Sequence, residues 1–219
     1  RQYDNSRWFY NLNSNFQGPF RLHSDLSRAL KVEEGNLRLI SFENSGGSFG
    51  IKQAIMPMII LTCLASRLSN KQVVWVEDRI EHLTAASSAT GRLTKIKASV
   101  DDQGTIHALD YDQIDDVGAY PRAPEPASLY RMHGNLSGAY KVKNIRCRNR
   151  VILTNKTPSG LNRGFGGPQH YFALERLVHQ IAVELKLNVL DVIKINLLEK
   201  NQFPYCLLYT SPSPRDETK

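Results

Sequence analysis

The sequence predicts an α+β fold, with mixed strands packed against helices. Three observations carry this reading. Apolar residues recur at helical spacing in two stretches, Leu22-Leu26-Ala29-Leu30 and Phe172-Leu174-Leu177-Val178-Ile181-Leu185. Short runs such as Leu37–Ile40 and Ile145–Leu153, bounded by Gly, Asn or Pro, have strand character. Two glycine-rich loops, 45–53 and 157–169, each follow a strand and open a helix.

In chain order, residues 1–16 hold aromatics and asparagines of weak periodicity, an irregular or strand segment. Gln17-Gly18-Pro19 makes a turn into the first helix, and Gly35-Asn36 is expected to end that helix. Leu37–Ile40 forms a short strand. The loop Ser45-Gly46-Gly47-Ser48-Phe49-Gly50 leads to a helix expected over 52–68. Its apolar run Ile55–Ala65, interrupted by Pro57, predicts a buried helix. Val73–Val76 reads as a buried strand, and Glu77–His82 as a short charged surface helix. Arg92–Val100 and Thr105–Ile114 form a hairpin around Asp101-Asp102-Gln103-Gly104. Asp110, Asp112, Asp115 and Asp116 lack a calcium-loop pattern and are assigned to exposed strand positions.

Pro121–Pro126 is a connector, and 127–136 is expected to be helical. The strand Ile145–Leu153 feeds the second glycine loop, and a helix over 170–186 follows. His170 and His179 on that helix are too far apart to share a metal, so both are structural. Asn188 caps a last helix over 189–198. From Cys206 onward there is neither periodicity nor packing logic, and the stretch resembles read-through of a sequencing adapter. The expected division is one domain over 1–205 and a non-native tail over 206–219, with the domain truncated at both ends.

Composition excludes several classes. The chain has 219 residues, 41% of them apolar and 22% charged, as in a soluble globular protein. No apolar run reaches the ~18 residues of a membrane span, and no leader is visible. Cys63, Cys147 and Cys206 have neither disulfide nor metal spacing. That suits a reducing, cytoplasmic setting and excludes an iron–sulfur cluster held by this chain alone. Net charge is +7, and Arg146, Arg148 and Arg150 alternate on one strand face beside Lys141 and Lys143. A solvated or subunit-facing strand explains that cluster better than a nucleic-acid groove, because no aromatics interleave with the charges.

The second loop, Thr157-Pro158-Ser159-Gly160-Leu161-Asn162-Arg163-Gly164-Phe165-Gly166-Gly167-Pro168-Gln169, can belong to no helix interior or central strand. It leads free N–H groups and the Arg163 guanidinium to a helix N-terminus. It reads either as a backbone cradle for an anionic, polar ligand or as a structural turn. The first loop lacks the ending of a nucleoside-triphosphate loop and the spacing of a dinucleotide-binding one.

Taken together, Gly46-Gly47-Ser48-Phe49-Gly50 and Arg163-Gly164-Phe165-Gly166-Gly167-Pro168-Gln169 resemble the molybdopterin-binding large subunit of the xanthine dehydrogenase/aldehyde oxidase family. Gln17, Trp75-Val76-Glu77-Asp78-Arg79 and the spacing from Arg131 to Arg163 extend the resemblance, which spans 11–205. It implies the first molybdopterin-binding domain of a molybdenum hydroxylase, here incomplete. The implied reaction is hydroxylation of an aldehyde or N-heterocycle with oxygen from water. Electrons would leave through iron–sulfur and FAD partner subunits. The implied cofactor is molybdenum–molybdopterin, with the cytosine dinucleotide form among the alternatives. The resemblance gives Gln17 a hydrogen bond to an oxygen ligand of the metal and sets Arg163 close to metal and substrate. Gly47, Phe49, Gly50 and Gly164 would approach the cofactor with their backbone; Phe165 would wall the substrate and Arg131 polarise it.

The sequence also departs from the family pattern. Ser48 replaces a common glycine, Gln53 stands where xanthine-type enzymes have an acid, and Leu161-Asn162 precede the loop arginine. The catalytic glutamate of the family lies near its far C-terminus and has no counterpart here. Gly164 occupies the place of the cysteine of copper-dependent carbon monoxide dehydrogenases, which argues against carbon monoxide as substrate. A non-catalytic cofactor-binding or assembly protein of the same fold is the alternative reading.

Overall fold

The computed structural model describes residues 8–122, 131–164, 166–203 and 205, with the side chains of Arg131 and His133 left out. Within the span read as one domain, the chain forms two compact units. The first comprises Arg1–Ala89, Pro121–Pro124 and Thr157–Arg163; the second comprises Thr90–Tyr120, Glu125–Lys156 and Gly164–Lys219. Helices and strands mix in both, as the expected α+β class requires.

The first unit begins with β1 (Tyr10–Ser14), α1 (Pro19–Leu30) and β2 (Leu37–Ser41). β1 and β2 pair in parallel, Tyr10 opposite Leu37 and Ser14 opposite Ser41, and α1 is the crossover. Gly18 takes a left-handed φ of 70° just before α1, and Pro19 occupies the first turn, where its missing N–H costs nothing. α1 buries Leu22, Leu26, Ser27 and Leu30, whereas the expected Ala29 is exposed. Ser27 tolerates burial because its hydroxyl donates to the His23 carbonyl at 3.0 Å. α1 stops at Leu30, not at Gly35-Asn36: Lys31 turns left-handed at φ 55°, and residues 34–36 form a separate 3-10 turn.

The helix expected over 52–68 is divided. Ile51–Gln53 is a 3-10 turn, and α2 runs Met56–Ser69 with Pro57 in its first turn. Proline is tolerated there but not further in, so Pro57 sets the start instead of breaking the helix. α2 is half-buried and not the buried helix expected: Ile59 and Cys63 face the core, while Leu61 and Leu68 are exposed. Val73–Val76 is extended but pairs with no strand among the described residues, and Val74 and Val76 are 73% and 81% exposed. Apolar composition supplied the expectation; a strand also needs a ladder partner, and β1 and β2 pair with each other. This extended segment, the β1 residues and Ile55, Met58 and Ile59 line a cavity of about 630 Å³. α3 (Arg79–Ala85) is the short charged helix, started by an Asp78–Glu81 capping box.

The second unit holds β3 (Gly91–Val100), β4 (Ile106–Asp116), β5 (Asn144–Ile152), α4 (Gly167–Leu185) and α5 (Val189–Asn196). β3 and β4 make the expected antiparallel hairpin; β5 joins β4 in parallel. The Asp101 carboxylate accepts from the N–H of Gln103 and Thr105, and Gly104 turns at φ 87°. Strand parity overturns one expectation. Leu109, Tyr111, Gln113 and Asp115 share the inward face, so Asp115 is fully buried. Arg92 neutralises it through two parallel hydrogen bonds of 2.7 and 2.9 Å. On the outward face Arg146 pairs with Asp110 at 2.9 Å and Arg150 with Asp112 at 2.6 Å. The Lys156 ammonium, then Thr154 and the Gly118 N–H, hold the Asp116 carboxyl down at about 2.

α4 buries His170, Leu174, Val178, Ile181 and Ala182 against the sheet. Phe172, expected in this stripe, points to solvent, and His170 takes the inward position. Its Nε2–H donates to the Leu136 carbonyl at 3.1 Å, which also accepts from the Tyr111 hydroxyl at 2.8 Å. His170 is therefore structural, as expected, and His179 is exposed. Asn188 caps α5 by accepting from the Leu190 N–H. At its other end, buried Asn196 accepts from the Ile106 N–H and donates to the Gly104 and Val192 carbonyls, each at 2.8 Å. Of the helix expected over 127–136, Arg131–Asn135 is a 3-10 turn and not α-helix, and residues 127–130 lie outside the described residues. The tail expectation for 206–219 also lies outside them. Among the described residues, no helix is long and apolar enough to cross a membrane.

Asn196→Ala leaves the Ile106 N–H and the Gly104 carbonyl buried without partners, and chemical denaturation should show a loss of about 2 kcal/mol or more. Asp115→Asn strands the Arg92 charge and should cost about 3–5 kcal/mol in the same measurement. Burial pushes the Cys63 thiol up to about 11. Iodoacetamide at pH 8 should therefore leave Cys63 unmodified in the native protein and alkylate it after unfolding, read by mass spectrometry.

Candidate functional site

The first glycine loop leaves β2 and tightens into two consecutive left-handed residues, Phe49 at φ 52° and Gly50 at φ 104°. Gly50 has no alternative: a Cβ there would lie 2.8 Å from the backbone carbon and oxygen of Leu161. Phe49 pays a conformational cost of about 1–2 kcal/mol for its φ. Ser48 offsets it. Its hydroxyl accepts from the N–H of Gly50 at 3.3 Å and of Lys52 at 3.2 Å, closing the turn. Lys52 adds a second tie, its ammonium donating to the Gly46 carbonyl at 2.7 Å and to Ser45 Oγ at 3.3 Å. Ser48 also donates to Gln17 Oε1, so the turn before α1 is fastened to the glycine loop. Gly47 lies under the Phe49 ring, where a Cβ would come within 3.3 Å of ring carbons.

Residues 157–163 bring a second loop of the same unit to this place. Arg122 donates to the Pro158 carbonyl at 2.6 Å and to the Ser159 carbonyl at 3.3 Å. The Gly160 N–H donates to the Ser88 carbonyl, and a Cβ at Gly160 would sit 2.6 Å from Ser87 Cβ. Leu161 is buried against Gly50. Arg163 then emerges with its guanidinium 4.9 Å from the centre of the Phe49 ring, a cation–π contact. Among the described residues it has no carboxylate partner.

Gln17, Gly47, Phe49, Gly50 and Arg163 thus come together in one unit. Gly164 and Arg131 belong to the other unit. Gly164 has φ 102°, and a Cβ there would overlap the Pro168 ring at 2.6 Å. Gly166, at φ 84°, caps α4. Arg131 opens the 3-10 turn Arg131–Asn135, and its side chain lies outside the described part. Phe165 lies outside the described residues, so its wall role has no structural counterpart here. Sequence reasoning gave no structural role to three residues that shape the site: Ser48, Leu161 and Arg122. Ser48 alone gave a signal, a hydroxyl residue just before a Phe-Gly turn.

The site offers several hydrogen-bond donors. The N–H groups of Gly47, Ser48 and Phe49 have no partner among the described residues. The Gln17 amide presents Nε2–H₂, since its oxygen is taken by Ser48. Arg163 adds a fixed positive charge. This set suits an oxygen-rich, negatively charged group. Among the described residues, no group of three or more His, Cys, Asp or Glu could hold a metal ion. A metal at this place would therefore arrive with its own ligands, and a pterin dithiolene with a phosphate tail fits that donor set.

Comparison with known proteins agrees with the geometry. Residues 2–197 match the family described as Molybdopterin cofactor-binding domain. Subunit gamma of the 6-hydroxypseudooxynicotine dehydrogenase complex of Paenarthrobacter nicotinovorans is 31% identical over 180 residues, 82% of this chain and 22% of that protein. The carbon monoxide dehydrogenase large chain of Hydrogenophaga pseudoflava is 27% identical over 195 residues, 86% of this chain and 24% of its own. Among solved structures, quinoline 2-oxidoreductase from Pseudomonas putida 86 superposes with a TM-score of 0.81 at 27% identity, covering 88% of this chain and 25% of that one. The chain thus spans about a quarter of the length of these relatives. It belongs to the molybdopterin cofactor-binding domain family of the molybdenum hydroxylase large subunits.

Proposed function

We propose that this chain is the cofactor-binding piece of a molybdenum hydroxylase large subunit that oxidises an aldehyde or an N-heterocycle. The observation that carries the proposal is the placing of Arg163 over Phe49. Its loop closes on Gly50, and Ser48 of the same turn fastens Gln17. The family membership and the oxidoreductase relatives support it. When bound, the molybdenum–pterin group supplies the two-electron redox chemistry, with water as oxygen source. The chain's own residues bind and orient. The N–H groups of Gly47, Ser48 and Phe49 and the Gln17 Nε2–H₂ would hold oxygen atoms of the group by hydrogen bonds. Arg163, held by its fork over an aromatic face, stabilises negative charge on a substrate heteroatom. Gly164 offers no thiolate for copper, which argues against carbon monoxide as substrate. Iron–sulfur and FAD subunits would carry electrons away, and the cytosine dinucleotide form of the pterin is one alternative for the cofactor. The free thiols Cys63 and Cys147 suit the cytoplasm.

The test uses the full-length large subunit purified with its partners. Plasma mass spectrometry should find stoichiometric molybdenum and acid release should yield an oxidised pterin; a folded complex with neither overturns the proposal. Arg163→Ala should lower kcat/KM by about 100-fold with molybdenum retained, and Arg163→Lys should not restore it, because a point charge lacks the planar fork. Gly50→Ala forces a Cβ into the Leu161 backbone, and molybdenum content should fall along with thermal stability.

A further inference from the structure

We infer that Ser48 is a positioning residue that fixes the orientation of the Gln17 carboxamide, and so decides that Gln17 presents a donor to the ligand. The inference rests on the function proposed for Gln17. A serine hydroxyl has one proton to give and two lone pairs to fill. At Ser48 both lone pairs are occupied, by the N–H of Gly50 at 3.3 Å and of Lys52 at 3.2 Å. The proton must therefore go elsewhere, and it is given to Gln17. Only the amide oxygen can receive it. A carboxamide turned by 180° would bring its NH₂ protons against the hydroxyl proton, with no lone pair left to accept them. An unrestrained Gln side chain chooses freely between these two orientations, since both ends are similar in size. Here the choice is made by the backbone of residues 50 and 52, relayed through one hydroxyl.

A glycine at position 48 would leave Gln17 unrestrained, so the departure from the common glycine has a consequence at the ligand. The serine is half-buried and the amide exposed, which keeps Nε2–H₂ available on the open side. The Ser48 hydroxyl has its partners within the protein and acts through Gln17; only the Ser48 backbone N–H is offered to the ligand. Its second duty, capping the Phe49–Gly50 turn, is separable from the first by a double-mutant cycle.

The test uses the full-length subunit in its complex, with rates expressed per bound molybdenum. Ser48→Ala should lower kcat by about tenfold, and the same change in a Gln17→Ala background should lower it by less than about twofold. Ser48→Thr, which keeps the hydroxyl, should restore the rate. The readout independent of turnover is a crystal structure of the Ser48→Ala complex, in which the Gln17 side chain should lose its single ordered position while the backbone of 47–50 stays in place. Should Ser48→Ala not accumulate, Ser48→Cys, with only a weak donor, takes its place in the cycle. A loss that persists undiminished in the Gln17→Ala background, or a Gln17 side chain equally ordered in Ser48→Ala, overturns the link between the two residues while leaving the proposed function intact. If Gln17→Ala alone leaves kcat unchanged at full molybdenum content, the role given to Gln17 fails and this inference falls with it. Were the complex to lack molybdenum, the proposed function would fail, and the order of Gln17 would still judge the link.

Discussion

The first unit depends on the meeting of Gly50 with the backbone of Leu161. At 2.8 Å from where a Cβ would stand, the contact admits glycine and nothing else. Because the two segments are more than a hundred positions apart in sequence, this single approach unites loops that local chemistry could never have joined. Phe49 is forced into a left-handed turn beside it, and its ring becomes the surface over which Arg163 lies. The strain is local, and hydrogen bonds from Ser48 and Lys52 offset it. Strained backbone of this kind persists where the surroundings over-determine it.

The second unit solves a different problem with polar groups. Its core is apolar on the α4 side of the sheet, but three polar devices are set into it: the Arg92–Asp115 pair, the shared Leu136 carbonyl and Asn196. Each is satisfied from more than one direction, which is what makes a buried polar group tolerable. Asn196 joins the β3–β4 turn to the end of α5 across some ninety positions, and so sets how the hairpin meets the helices.

Much of this was legible in the residues. The hairpin, the helix α1 and the strand β2 after it, and the long helix after the second glycine loop followed from periodicity and turn chemistry; the parallel pairing of β1 with β2 did not, since residues 1–16 carry only weak periodicity. Of the candidate site, Gln17, Phe49, Gly50 and Arg163 were singled out by their resemblance to a family, and all four lie in one unit. What stayed hidden depends on pairing partners and parity. Val73–Val76 has the composition of a buried strand, but no neighbour among the described residues turns it into one. Asp115 looked like its neighbours Asp112 and Asp116 until strand parity sent it inward. Phe172 lies about 200° around α4 from both His170 and Leu174, so the helical period turns it to solvent when those two face inward. Arg122 gave no signal at all, since its partners are main-chain oxygens that every residue carries.

That last feature bears on how such a site diversifies. Arg122 grips Pro158 and Ser159 by their carbonyl oxygens, so its hold is blind to the side chains it secures. Mutation at Asn162, or at the residues beyond it, can remodel what the loop offers a ligand without loosening its root. Anchorage and recognition are inherited separately here, and a lineage can explore new chemistry at the tip while the stem stays still.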